Sequence, residues 1–252
     1  MGGRQNVPNP PFSENLCIIL VNPKHDGNIG AVARAMLNFG IRDLRVVGRE
    51  GPWSEEVRNR AKSAQIVLEE ATLHSSFVGA VADCSIVVGT SGKREGGSKT
   101  ELRHFIMPEE LPRRLDGTEG TVALVFGPEG KGLVNEQLRV CDLLVTIPSW
   151  EGYPILNLSH AVAILCFAWF VNSTEDVAPE TEERLVSPEL RRRFKSEVKR
   201  LVASMPTRDH RRRGIEETLL RVIMRGLPKG DEIHRLLAVV GEAADAFERN
   251  SP

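Results

Sequence analysis

Ile147-Pro148-Ser149-Trp150-Glu151-Gly152-Tyr153-Pro154-Ile155-Leu156-Asn157-Leu158-Ser159-His160-Ala161-Val162-Ala163-Ile164-Leu165 is the stretch around which this 252-residue chain is organised. It leaves an apolar run, Leu143 to Ile147, and forms a loop rich in Pro and Gly. It then enters a helix whose first turn carries Asn157 and Ser159, both suited to satisfying free N–H groups at a helix start. From Ala161 to Phe170 the helix is apolar on nearly every side, which predicts a buried helix rather than an amphipathic one. A polar, tightly turned loop held between a buried strand and a buried helix is costly, and chains keep such loops to bind something.

Working back from there, Leu16 to Val21, Ser85 to Thr90 and Val122 to Phe126 are continuous apolar runs, the pattern of strands buried on both faces. Leu44 to Val47 and Ile66 to Leu68 read as shorter strands. Helices are expected over about 29–38, closed by Gly40, over 54–62, and near 75–82. Strands alternating with helices predict an α/β fold with a parallel sheet covered on both faces. A linker of acidic and small residues separates a last segment, 187–249, with helical periodicity and no strand signal; Ser187-Pro188-Glu189 is a good helix start, and about three helices are expected. The boundaries are a disordered tail at 1–13, an α/β domain at 14–172, a linker at 173–186 and a helical extension at 187–252.

Composition excludes several classes. With 41% apolar and 27% charged residues the chain is an ordinary globular protein, and no uncharged apolar run approaches the roughly 20 residues of a membrane span. The polar start, Met1 to Pro11, lacks the apolar core of a signal peptide. Cys17, Cys84, Cys141 and Cys166 form no Cys-x-x-Cys pair and read as core thiols of a cytoplasmic protein without a metal site.

Loops 22–28, 89–98 and 127–132 follow the carboxyl ends of three apolar strands, and loop 148–156 makes a fourth. In open α/β sheets this edge binds ligands. Gly89-Thr90-Ser91-Gly92-Lys93 has neither the spacing nor the hydroxyl of a phosphate-binding P-loop, and Gly127-Pro128-Glu129-Gly130-Lys131-Gly132 is not G-x-G-x-x-G, so a triphosphate or dinucleotide is not expected. Arg34 lies among small and apolar helix residues. It either neutralises an internal carboxylate such as Glu129 or points into the site to meet an anion. Asn28 and Asn157 both read as helix caps. A triad of Ser159, His160 and Asp142 is not expected, because neighbours on a helix point in different directions and no nucleophile elbow is present.

The net charge of −1 hides an asymmetry. Residues 1–181 hold 17 Lys+Arg against 22 Asp+Glu, and residues 182–252 hold 16 against 12. Arg191, Arg192, Arg193, Lys195, Lys199, Arg200, Arg208, Arg211, Arg212 and Arg213 crowd one segment. Charge of one sign repels itself, and a phosphate backbone relieves it, so this segment is expected to bind nucleic acid.

Three segments carry a resemblance. Asn28-Ile29-Gly30-Ala31-Val32-Ala33-Arg34-Ala35, Phe126-Gly127-Pro128-Glu129-Gly130-x-Gly132-Leu133, and Ile147-Pro148 with Leu156-Asn157-Leu158-Ser159-x-Ala161-Val162-Ala163 resemble, in order, the three motifs of the SPOUT superfamily of RNA methyltransferases, in its TrmH-like branch. The resemblance covers roughly residues 14–172. It implies a C-terminal trefoil knot, S-adenosylmethionine as cofactor, and a homodimer in which motif 1 of one subunit completes the other's site. It implies cofactor contacts, largely through the backbone, at Thr90, Ser91, Gly92, Gly127, Gly132, Ile147, Pro148, Pro154, Ile155 and Leu156. Asn28, Arg34, Glu129, Asn157 and Ser159 match the motif side chains and are the catalytic candidates. The loop Tyr153-Pro154-Ile155-Leu156-Asn157 and the basic helical extension look most like the branch members that 2'-O-methylate cytidine or uridine at nucleotide 32 of tRNA. Another tRNA position, ribosomal RNA, or a non-catalytic RNA-binding role are the alternatives.

Overall fold

The computed structural model describes residues 7–92, 105–173, 187–226, 228 and 230–249. The Gly-rich end of the second loop (93–98) and nearly all of the expected linker lie outside them.

The fold begins at β1 (Leu16–Val21), whose six residues are all buried. Alternate side chains of β1 enter two separate cores, as the two-residue period of a strand dictates. Leu16, Ile18 and Leu20 join one core, and Cys17, Ile19 and Val21 join the other. α1 (Asp26–Asn38) packs on the first core, and Gly40 (φ +75°) ends it in the left-handed conformation. The chain continues through β2 (Asp43–Val47), α2 (Glu55–Ala61), α3 (Gln65–Glu70), β3 (Thr72–His74), α4 (Phe77–Ala80) and β4 (Cys84–Thr90). It then forms β5 (Phe105–Ile106), α5 (Leu111–Arg114), β6 (Thr121–Phe126), α6 (Asn135–Val140) and β7 (Leu143–Val145). Among the described residues the sheet has seven strands, all parallel, in the order β3-β2-β1-β6-β4-β7-β5. β6 lies between β1 and β4, so the loops after these three strands meet at one edge.

α1 and α2 touch at Gly30, where a Cβ would stand 2.2 Å from the Val57 carbonyl oxygen. No other residue permits that approach.

Several expectations shift. Ile66 to Leu68 lies in α3, not in a strand; Val67 and Leu68 are buried there while Glu69 and Glu70 are exposed, so one-sided burial overrides β-propensity. The strand of that region is Thr72–His74, which pairs with β2. α1 starts three residues earlier than expected, and β7 ends at Val145. Part of the expected tail is fixed: Pro11–Asn15 is a 3-10 helix, Ser13 is buried, and Phe12 meets Phe170 edge-on at 6.2 Å.

α7 (Leu158–Ser173) packs through Leu158, Val162, Leu165, Cys166 and Trp169. It is not buried all round, because Ile164, Phe167 and Val171 stand 36%, 55% and 37% exposed. Their spacing of three and four residues puts them on one stripe. Of the cysteines, Cys17, Cys84 and Cys166 are buried, Cys141 is half-buried, and all four are free thiols. No helix is long and apolar enough to cross a membrane, among the described residues.

Among the described residues three helices follow α7: α8 (Pro188–Ser204), capped by the Ser187 side chain, α9 (Asp209–Arg225) and α10 (Gly230–Arg249). α8 seats Phe194 and Val198 in the core that also holds the strands. Its anchor is ionic: Arg191 and Lys195 lie 2.6 and 2.8 Å from the carboxylate of Asp142, which is fully buried. Asp142 also accepts from the Val87 amide at 2.9 Å.

Candidate active site

Glu129, in the loop after β6, is where the motif segments converge. Its carboxylate accepts hydrogen bonds from the Lys24 amide (2.8 Å), the His25 amide (3.4 Å) and Asn28 Nδ2 (2.7 Å). Asn28 Oδ1 accepts from Asn157 Nδ2 at 3.0 Å. Asn157 Oδ1 accepts from the Ser159 amide (2.9 Å) and hydroxyl (2.8 Å). Four side chains on three chain segments thus form one hydrogen-bonded row that ties the start of α1 to the loop after β6 and to the start of α7. Partial burial disfavours the Glu129 carboxylate, but Asn28 and the Lys24 and His25 amides outweigh it and hold its pKa below the usual carboxylate range.

Asn157 is the helix cap expected of it. Asn28 is not a cap: it is the third residue of α1, and its side chain spans to Glu129 and Asn157 instead. Arg34 does not neutralise Glu129. It is exposed on α1 and has no ion pair among the described residues. Asp142 faces Arg191 and Lys195, and His160 is exposed, so Ser159, His160 and Asp142 form no triad.

Beside the row lies a cavity of about 430 Å³. Ser91, Gly92, Gly127, Gly132, Ile147, Pro154, Ile155 and Leu156, all expected at the site, line it. Thr90 does not line it; its hydroxyl donates to the Val125 carbonyl at 2.9 Å and joins the end of β4 to β6. Pro148 is also outside the lining. Leu133, Leu158 and Ala161 line it too; they stand within the motif segments, but their apolar character alone does not separate them from core. The loop 127–132 folds back on itself, and a Cβ on Gly127 would lie 2.2 Å from the Gly132 carbonyl carbon and the Leu133 amide nitrogen. Gly130 and Gly132 take positive φ. The Ser149 hydroxyl donates to the Pro154 carbonyl at 2.9 Å and closes the fourth loop over the cavity's edge. A lining that combines glycine backbone with the apolar Ile147, Leu156 and Leu158 suits a ligand that joins a flat apolar ring to polar edges.

The basic segment divides in two. Arg191 is buried and Lys195 half-buried on Asp142, Arg200 pairs with Glu197, Asp245 and Glu248, Arg212 with Asp209, and Arg213 with Glu217. These cations have intramolecular partners, which a count of charge along the chain does not reveal. Arg192, Arg193, Lys199, Arg208 and Arg211 are exposed, with Arg192 donating to the Ala82 carbonyl.

Comparison with known proteins places this geometry. The model of the SpoU rRNA Methylase family matches residues 15–167. The tRNA (cytidine-2'-O-)-methyltransferase TrmJ of Methanocaldococcus jannaschii is 40% identical over 174 residues, covering 69% of this chain and 75% of its own. The tRNA (cytidine/uridine-2'-O-)-methyltransferase TrmJ of Shigella dysenteriae serotype 1 is 31% identical over 236 residues, covering 90% and 94%. The crystal structure of TrmJ from Z. mobilis ZM4 matches with a TM-score of 0.70 at 28% identity, over 90% of this chain and 97% of that one.

Proposed function

The chain belongs to the SpoU rRNA methylase family and is a methyltransferase, and we propose that it transfers a methyl group from S-adenosylmethionine to a ribose 2'-hydroxyl of tRNA, on cytidine or uridine at nucleotide 32. The observation that carries this reading is the row Glu129–Asn28–Asn157–Ser159 beside a cavity of about 430 Å³, within the roughly 300–1,000 Å³ range of small-molecule sites.

The residues present fit the cofactor. Gly127, Gly132 and Leu156, with their backbone groups, and the apolar Ile147 and Leu158 would hold the cofactor here. When bound, S-adenosylmethionine supplies an electrophilic sulfonium methyl. The work left to the chain is positioning and charge stabilisation. A 2'-hydroxyl must lose its proton as it attacks. Arg34 is not the acceptor, because a guanidinium stays charged. Its role is to hold the adjacent phosphate bidentately and to stabilise developing alkoxide charge, while the phosphate or a water takes the proton. The Glu129 row holds the loop after β1 and the start of α7 in register for that encounter.

Arg34 is not among the residues lining the cavity of its own chain. That fact, with the open stripe Ile164, Phe167 and Val171, supports a homodimer in which Arg34 serves the partner's site. In the same reading the segment from β6 to α7 threads a trefoil knot. Its support is the sheet order, with β6 between β1 and β4, and the return of α7 to pack on α1. Residues 14–172 form the methyltransferase domain, and 187–252 supply RNA contacts through Arg192, Arg193, Lys199, Arg208 and Arg211.

The test is methyl incorporation from labelled S-adenosylmethionine into unmodified tRNA by the wild type and by Arg34→Lys. Wild-type incorporation with a loss of roughly 100-fold in the variant is expected, because lysine keeps the charge but not the fork. Retention of most activity by Arg34→Lys sinks the bidentate role, and no incorporation by the wild type sinks the function.

A further inference from the structure

A second cavity, of about 460 Å³, lies between the β7 side of the sheet with α6 and the inner face of α9. Leu143, Leu220 and Met224 give it an apolar wall. Its charged lining is unbalanced, with six arginine or lysine side chains against three carboxylates. Two of the three carboxylates are committed: Asp142 to Arg191 and Lys195, and Glu217 to Arg139 (2.6 Å) and Arg213 (3.0 Å). Arg114, also in the lining, pairs with Glu110 at 3.7 Å.

That leaves Arg221 and Arg225 facing the cavity, with Glu216 as the remaining carboxylate. Nε and Nη1 of Arg221 are buried and have no hydrogen-bond partner among the described residues. Arg221 and Arg225 are four residues apart on α9, where like charges repel rather than support the helix. Burial, and then the charge of Arg221, disfavour the charged form of the Arg225 guanidinium. Buried guanidinium donors left unmet are costly, and an oxyanion relieves both costs at once. Glu216 accepts from a hydroxyl or amino group, and the apolar wall takes a ring.

We propose that this cavity binds a nucleoside monophosphate group, its phosphate on Arg221 and Arg225, a hydroxyl or amino group on Glu216, and its ring against Leu143, Leu220 and Met224. The group is either a free nucleotide or one nucleotide of an RNA strand. The site is separate from the motif cavity, with which its lining shares Asn135, and it does not rest on the methyl-transfer reading.

The test is calorimetric titration of the full chain at low salt with 5'-CMP, with inorganic phosphate, and with a short cytidine oligonucleotide. Binding of 5'-CMP at millimolar concentration or tighter is expected, weakened about tenfold by Arg221→Gln and by Arg225→Gln. Glu216→Gln has the opposite sign for inorganic phosphate, which it binds more tightly because a repelling carboxylate is gone, so a variant that merely unfolds cannot mimic the set. Oligonucleotide binding that exceeds that of 5'-CMP and falls in Arg221→Gln supports the site and assigns its ligand to a strand. Equal affinity assigns it to free nucleotide. Failure of all three probes to bind, or binding of all of them unchanged in both arginine variants, overturns the proposal.

Discussion

Glu129 meets three donors with one carboxylate, and its ionisation is therefore coupled to the geometry of the site. The hydrogen bonds from Asn28, Lys24 and His25 lower its folded pKa relative to the ordinary value of 4.5. A depressed carboxyl pKa contributes stability that is present above the unfolded value and is lost as pH falls through the folded one. Thermal unfolding followed from about pH 6 to pH 3 is expected to show a steeper loss below about 4.5 for the wild type than for Glu129→Gln. Equal slopes would mean that the three hydrogen bonds do not favour the charged form. At this scale the sequence is legible in part. Asn28 and Glu129 stand out by residue type, but Asn28 looks like a cap, because its partners lie about a hundred residues away and no local pattern reports them. Arg34 is conspicuous by its apolar neighbours, yet those neighbours belong to the inner faces of α1 while Arg34 itself faces out.

Elements were legible where one force dominates. Continuous apolar runs gave β1, β4 and β6, because strands covered on both faces need apolar residues at every position. Ile66 to Leu68 misleads for the reason that a short apolar run does not distinguish a strand from one buried turn of helix. The basic segment misleads differently: net charge along α8 is visible, but the acid that receives Arg191 and Lys195 sits at the start of β7. Burial opposes the ionised form of Asp142, and the Lys195 and Arg191 charges outweigh it and lower its pKa. Removing that acid strands two cations in the interior. Asp142→Asn is expected to lower stability in urea denaturation by about 3–5 kcal/mol, the cost of breaking a buried ion pair on one side. A loss under about 1 kcal/mol would mean that Arg191 and Lys195 reach water when released.

For the whole molecule, the proposed dimer stripe on α7 and the proposed RNA contacts of α8 and α9 lie on different elements and separate by experiment. Phe167→Glu puts a charge on the stripe and is expected to turn the proposed dimer into a monomer by light scattering. Methyl transfer is then expected to fall with S-adenosylhomocysteine binding retained in part; a variant that stays dimeric and active removes α7 from the interface. Replacing Arg193, Lys199 or Arg211 by Gln is expected to weaken tRNA binding across sequences and to lower the salt slope by about one for each phosphate no longer neutralised. An unchanged slope places the RNA elsewhere. Delivery of a methyl group to one ribose hydroxyl is measured by incubating the chain with S-adenosylmethionine and unmodified tRNA, then digesting with nuclease and reading the product by mass spectrometry. A single 2'-O-methylated cytidine or uridine at nucleotide 32 is expected. A methyl on a base, or tRNA left unmodified while the cofactor binds, would contradict it.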